Sequence, residues 1–179
     1  MFKENIKLFI REYLANHLIC YIPSNRIRIF FYKNFLKIKV SYSNRFQMGC
    51  YIYNGGSLSI GKKTIINRNC VLDRRGDMQI GNNVNISPNV HLYTAYHDLQ
   101  DKNFSNLFKQ ITIDDYVVIL TGSCVMPGVH MRKGSVLYPF SVLTTNTVEY
   151  GIYAGNPAKL INHRNKDLKY DPTWNSKFL

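Results

Sequence analysis

The sequence predicts an all-β chain wound as a parallel β-helix of six-residue repeats, with a helical segment ahead of the coil and a short helix and tail behind it. Three observations predict it. Stepping by six from Ile113 gives Ile113, Ile119, Val125, Met131, Leu137 and Leu143, all apolar. In a chain that is 45% apolar such a run arises by chance in roughly one phase in a hundred, so the step is a property of the fold. Four places after each stand Val117, Ser123, Val129, Ser135, Ser141 and Thr147, all small or β-branched. The same step recurs upstream as Ile60, Ile66 and Leu72, and again as Ile80, Ile86 and Leu92.

A period of six is wrong for a helix and too sparse for a strand with one buried face. It fits a coil of short flat faces, each hexad sending one apolar residue inward with a small residue at the next corner. Each coil buries its apolar edge against the next, so stability is a nearest-neighbour sum. Between Leu72 and Ile80 the step slips by two residues, and RRGDMQ holds the extra turn. Gly55, Gly56, Gly61, Gly76, Gly81, Gly122, Gly128 and Gly134, with Asn67, Asn69, Asn82, Asn83 and Asn85 among them, are expected to supply the left-handed conformations of the corners. The longer break, HLYTAYHDLQDKNF from His91 to Phe104, opens an excursion loop expected at residues 98–110.

The organisation that follows is a basic helical cap at 1–45, the coil at 46–157, and a C-terminal helix and tail at 158–179. In the cap, Phe2, Ile6, Phe9, Ile10, Tyr13, Leu14 and Leu18 fall at helical spacing. Pro23-Ser24-Asn25 ends that helix, and Ser24 or Asn25 caps a second one through RIRIFFYKNFLKIKV. Solenoid ends need covering, so the plain reading is a lid on the first coil. The basic, aromatic composition also suits contact with a membrane surface through residues 1–40. Gly155-Asn156-Pro157 stops the coil, and a short helix is expected around Ala158–Lys166, followed by a loose tail.

Composition narrows the function. Residues 1–45 carry nine Lys/Arg against two acids, residues 46–158 nine against seven, and residues 159–179 five against two. A nucleic-acid reader carries its basic stripe through the body of the fold, so nucleic acid is not the expected partner. Basic ends point instead to anionic ligands or lipid. The four cysteines, Cys20, Cys50, Cys70 and Cys124, have no metal-site spacing and read as buried thiols of a reduced cytoplasm. MFKENIKLFIREYL is broken by charges and does not read as a signal peptide, and no run is long enough to span a bilayer. The expected location is the cytoplasm, at the inner face of the membrane if the cap binds lipid.

IGNNVNISPNV at Ile80–Val90, VMPGV at Val125–Val129 and AGNPAKL at Ala154–Leu160 resemble, in that order and spacing, the hexapeptide-repeat acetyltransferases. The nearer likeness is to sugar O-acetyltransferases that decorate capsule, O-antigen and exopolysaccharide units, over roughly residues 46–164. The resemblance implies a left-handed parallel β-helix of hexapeptide repeats, acetyl-CoA as donor, no metal, a carbohydrate acceptor and a homotrimer with sites between subunits. It implies a catalytic histidine where the coil breaks, which is His97. It places Asn67 near the acceptor, the Thr121 N–H near the thioester carbonyl, Pro139, Thr144 and Thr145 along the coenzyme, and Lys159 near its phosphates. The family's phosphate-binding lysine is Thr145 here, so the resemblance implies that this contact is either missing or replaced by Arg132, Lys133 or Arg164. The chain departs from the family at Leu120, Arg132, Tyr138 and Phe140, where glycines are usual.

Acetyl transfer to a hydroxyl needs a base for the proton and a dipole for the oxyanion. Histidine titrates nearest neutral pH, so His97 can take the proton and return it to the leaving thiolate. Asp98 orients His97 or binds the acceptor, and Asp73, in LDRRG, is expected to reach an acceptor hydroxyl. His91 reads as a solvated or satisfied corner residue, and His17, His130 and His163 have no supporting context. Arg74 and Arg75 have no nameable partner. Two other functions fit the same pattern: N-acetylation of an amino sugar or other small amine, and a non-catalytic β-helix at a membrane surface.

Overall fold

The computed structural model describes residues 2–173, with the backbone alone for residues 2–5 and 7. α1 (Phe2–His17) leads through a single 3-10 turn at Ile19–Tyr21 into α2 (Asn25–Asn34). Ser24 caps α2, its Oγ accepting from the Ile27 N–H. The coil begins with β1 (Arg45–Phe46), β2 (Tyr51–Tyr53) and β3 (Leu58–Ile60). The second coil is β4 (Ile65–Ile66), β5 (Val71–Asp73) and β6 (Met78–Ile80). The third has β7 (Asn85–Ile86) and β8 (His91–Leu92), then leaves the solenoid as β9 (Ala95–His97) and β10 (Asn106–Phe108), and returns as β11 (Ile111–Ile113). β12 (Val118–Ile119), β13 (Cys124–Val125) and β14 (His130–Met131) make the fourth, followed by β15 (Val136–Leu137), β16 (Val142–Leu143), β17 (Gly151–Gly155) and β18 (Ala158–His163).

These strands stack as three parallel sheets. The first face is β1-β4-β7-β12-β15-β17, the second β2-β5-β8-β13-β16, the third β3-β6-β11-β14. The six-residue series fills the inside. Ile52, Leu72, Leu92, Val125 and Leu143 are in register down the second face and all are buried, as are the corner residues Val117, Ser123, Val129, Ser135, Ser141 and Thr147. The buried hydroxyls are satisfied locally: Ser123 donates to the Tyr138 carbonyl at 2.7 Å, and Thr147 to Ser135 at 3.0 Å.

The corners follow expectation in part. Gly122, Gly128, Gly134, Asn69 and Asn83 take the left-handed conformation, whereas Gly55, Gly56, Gly61, Gly76 and Gly81 do not; Lys63, Tyr116 and Tyr150 hold it with Asn83 and Gly134 along the edge between the third and first faces. Gly61 and Gly81 are needed for close approach instead. A Cβ on Gly61 would lie 2.5 Å from the Gly81 carbonyl carbon.

The cap closes the open strand edges with side chains that imitate a neighbouring strand. Asn16 donates to the Ile52 carbonyl at 3.0 Å and accepts from the Ile52 N–H at 2.8 Å. Asn25 accepts from the Phe46 N–H, and buried Arg28 donates to the Phe46 and Ile22 carbonyls. α1 therefore presents Ala15 and Asn16 to the coil, and the apolar stripe Ile6, Phe9, Ile10 and Tyr13 faces outward. Phe2, the start of that stripe, has no described side chain. Among the described residues no helix is long and apolar enough to cross a membrane. Cys20, Cys50 and Cys70 are buried, Cys124 is half-buried, and all four are free thiols.

Two boundaries need correction. The expected helix at Ala158–Lys166 is β18, which pairs antiparallel with β17. It covers the last open edge of the first face, which a helix could not do by backbone pairing. The expected loose tail runs back along the third–first edge as far as Thr173. Asn83 donates to the Tyr170 carbonyl at 2.9 Å, the Tyr170 hydroxyl to the Tyr116 carbonyl at 3.0 Å, and Lys63 pairs with Asp171 at 3.4 Å. The rest of the tail lies outside the described residues.

Candidate active site

The excursion expected at 98–110 begins earlier, at Ala95, and is a β-hairpin. β9 and β10 pair antiparallel, His97 opposite Asn106 and Ala95 opposite Phe108. A segment that leaves the solenoid loses its ladder partners, and self-pairing satisfies its backbone groups. His97 is the last residue of β9 and is exposed.

The His97 imidazole is held on two sides. Its ring stacks on Phe104, with centroids 4.1 Å apart and 10° between the planes. Its Nδ1 lies 3.0 Å from the Phe104 carbonyl oxygen. A carbonyl only accepts, so Nδ1 carries a proton, and in the neutral ring Nε2 is the basic nitrogen. Phe104 takes a left-handed φ of 50°, unusual for a residue with a large ring. It is held there by its N–H bond to Asp101, its carbonyl bond to His97 and the ring stack. Asp98 does not touch the imidazole. Its carboxylate accepts from the Gln100 N–H at 2.9 Å, so the orienting role expected of Asp98 belongs to a backbone carbonyl.

Asp73 is also placed differently from expectation. Its side chain is 0% exposed, and its oxygens are taken by Arg75, Thr94 and Ala95, leaving none for an acceptor hydroxyl. Burial by itself would raise its pKa, but the Arg75 guanidinium and the backbone N–H groups outweigh it and hold the carboxyl below its ordinary value. The hydrogen bond to Asp73 raises Arg75 in turn. Arg75 also lies over the Tyr53 ring at 4.9 Å. Arg74 is buried and donates to Asn54. His91 sits on β8 rather than at a corner, with Nδ1 3.2 Å from the Tyr93 hydroxyl. His130 has a partner that its sequence did not announce, Asp114 at 2.8 Å.

Of the other expected site residues, five fall along two edges of the prism, while Lys159 and Arg164 lie elsewhere. Asn67 stands where the first face turns into the second, its Nδ2 donating to the Ile86 carbonyl at 2.7 Å. Thr121 is two coils further along that edge; its hydroxyl donates to the Pro88 carbonyl at 2.7 Å and its carbonyl accepts from the Phe140 N–H. Pro139 follows in the next coil, beside Phe140, whose ring lies against Gly122. Thr144 and Thr145, exposed just after β16, continue the next edge, between the second and third faces, from which the His97 hairpin departs. Lys159 is exposed on β18. Arg164 is on the remaining edge, where it donates to the Tyr116 carbonyl and stacks on Tyr170. Asn67, Thr121 and Pro139 thus lie on the edge ahead of the second face, and Thr144, Thr145 and the root of the hairpin on the edge behind it.

No family model matches the chain. A putative acetyltransferase of Schizosaccharomyces pombe is 37% identical over 110 residues, 60% of this chain and 53% of that protein. A galactoside O-acetyltransferase of Escherichia coli is 30% identical over 124 residues, 67% of this chain and 61% of that protein. A crystal structure of a hexapeptide-repeat acetyltransferase of Vibrio cholerae, complexed with acetyl coenzyme A, superposes with a TM-score of 0.81 at 23% identity, over 89% of this chain and 88% of that one. The chain is thus similar in sequence to proteins named acetyltransferases and shares its fold with a hexapeptide-repeat acetyltransferase. It spans little more than half the length of the curated relatives it matches. Sequence reasoning missed Phe104, Thr94 and Arg75. Phe104 acts through a backbone oxygen, which no residue pattern announces; Arg75, two places from an aspartate, was the one legible signal.

Proposed function

We propose that this chain moves an acetyl group from acetyl-CoA to a hydroxyl of a carbohydrate, with His97 Nε2 as the general base. The observation that carries the reading is the Nδ1–H bond to Phe104, which in the neutral ring makes Nε2 the basic nitrogen at the exposed end of β9. Acetyl-CoA, when bound, supplies the acetyl group as an activated thioester. His97 Nε2 takes the acceptor hydroxyl proton as the oxygen attacks, and hands it to the departing sulfur. The Thr121 N–H serves the carbonyl oxygen where negative charge develops. The chain's surface suits a coenzyme arm: Pro139 and the exposed ring of Phe140 offer an apolar edge, Thr144 and Thr145 offer hydroxyls, and Lys159 offers a cation. Leu120, Tyr138 and Phe140, at the usual glycine positions, stand on this edge, with the Phe140 ring against Gly122.

We take the two edges that flank the second face as half-sites joined in a homotrimer, in which the Thr121–Pro139 edge of one copy meets the His97 hairpin of the next. Calorimetric titration of the purified protein with acetyl-CoA and with CoA tests the reading, followed by thiol release with sugar acceptors. Saturable binding near one per subunit is expected; a folded protein that binds neither rules out the transfer.

The cap is proposed to rest on an anionic membrane surface. Phe9 is 70% exposed, and Ile6, Ile10 and Tyr13 are exposed beside it on the same helix. Nine Lys/Arg against two acids in residues 1–45 favour an anionic partner, and would repel a second copy of the same face. The chain is expected to float with vesicles containing phosphatidylglycerol and not with pure phosphatidylcholine. A Phe9→Ser/Ile10→Ser variant is expected to stay in solution, and equal flotation of variant and wild type removes the proposal.

A further inference from the structure

We propose that Asp73 is a positioning residue for His97, acting through the root of the hairpin rather than on substrate. The inference rests on His97 being the base. Thr94 and Ala95 are where the chain leaves the third coil, and His97 is two residues beyond. The Asp73 Oδ2 accepts from the Ala95 N–H at 3.0 Å and the Thr94 N–H at 3.3 Å. The Asp73 backbone carbonyl accepts from the Thr94 hydroxyl at 2.7 Å, and that hydroxyl accepts from the Gly76 N–H at 2.8 Å. The returning strand joins the same point, the Lys109 N–H donating to the Thr94 carbonyl at 2.8 Å. Both strands of the hairpin thus converge on Thr94, and Thr94 is clamped to Asp73.

Asp73 is itself held. Arg75 approaches with Nε at 2.9 Å from Oδ1 and Nη2 at 3.1 Å from Oδ2, and the Arg75 N–H donates to Oδ1 at 3.2 Å. Every bond to the carboxylate comes from a donor, so only the ionised, acceptor-only form suits the site. Asparagine has the same shape but turns an NH2 toward one set of those donors. The expected result is a displaced hairpin root and a misplaced Nε2, without loss of the solenoid. Placement errors near 1 Å cost about 10²-fold in rate.

The test compares wild type, Asp73→Asn, Thr94→Val and Thr94→Ser, all verified as folded by circular dichroism and thermal melting. Asp73→Asn and Thr94→Val are expected to lose about 10–100-fold in kcat, with KM for acetyl-CoA and for the acceptor unchanged. Thr94→Ser, which keeps the hydroxyl, is expected to restore wild-type kcat. Nitrogen NMR of the His97 ring supplies a readout that needs no turnover: the Nδ1–H tautomer is expected to dominate in wild type and to mix in Asp73→Asn. A raised acceptor KM at unchanged kcat would make Asp73 a substrate contact and overturn the inference. So would wild-type kcat and an unmixed tautomer in folded Asp73→Asn. Should Asp73→Asn fail to fold, Thr94→Val with its Thr94→Ser control decides by the same criteria. A wild type without transfer on any acceptor fails the acetyltransferase reading instead, and the ring tautomer still decides whether Asp73 positions His97.

Discussion

Replacing His97 by alanine is expected to lower kcat by about 10²–10⁴-fold while leaving acetyl-CoA affinity and the melting temperature near wild type. The side chain is exposed, and its contacts are confined to Phe104, so its loss removes no core packing. His97→Gln separates base chemistry from shape. Glutamine can keep the bond to the Phe104 carbonyl through its amide N–H, but offers no group that accepts a proton near neutral pH, so it should be as slow as alanine. Steady-state kinetics with titration calorimetry on both variants checks this. Turnover within a few-fold of wild type in either would take His97 out of the reaction. Because the orienting partner is a backbone oxygen, no side-chain deletion at Phe104 removes it. Phe104→Ala is expected to act more mildly, through the lost ring stack.

The second large effect falls on stability. Leu92→Ala is expected to destabilise the chain by about 3 kcal/mol, measured as a lower urea midpoint. Leu92 is 0% exposed and lies in the middle of the row Ile52, Leu72, Leu92, Val125, Leu143. Truncation opens a gap against both neighbouring coils, and each coil is stable only against its neighbours. The third coil also carries the hairpin, so the loss falls where the solenoid is already interrupted. A change below about 1 kcal/mol would mean that the coils relax to fill the gap. A lower denaturant slope as well as a lower midpoint would mean that the two halves of the solenoid come apart separately.

Much of this was legible in the chain. The residues at Ile60, Ile66, Leu72 and their successors all point inward, because a six-residue period leaves one solution in which every coil buries its apolar edge. The two-residue slip at RRGDMQ and the break after His91 were also visible as interruptions of that period. Less legible was what the interruptions hold. Asp73 stands at the slip and reads as a contact to an acceptor hydroxyl. It meets Thr94 only because the slip and the hairpin root lie one coil apart on the same edge, 21 residues distant in sequence. The α1 stripe reads as a core face by spacing, yet Ala15 and Asn16 face the coil, because the open Ile52 edge needs a hydrogen-bonding partner more than an apolar one.

The sequence by itself determined the coil, its period, the place where it breaks and the histidine that stands there. These are local or nearest-neighbour properties, written in the spacing of apolar and small residues. Only the tertiary structure decided which way α1 faces, that β18 and the tail return along the solenoid, that Asp73 is a buried clamp, and which nitrogen of His97 is basic in the neutral ring. Each depends on single hydrogen bonds between residues far apart in the chain or on backbone groups, and the stacking of coils, not any residue pattern, brings those groups within reach.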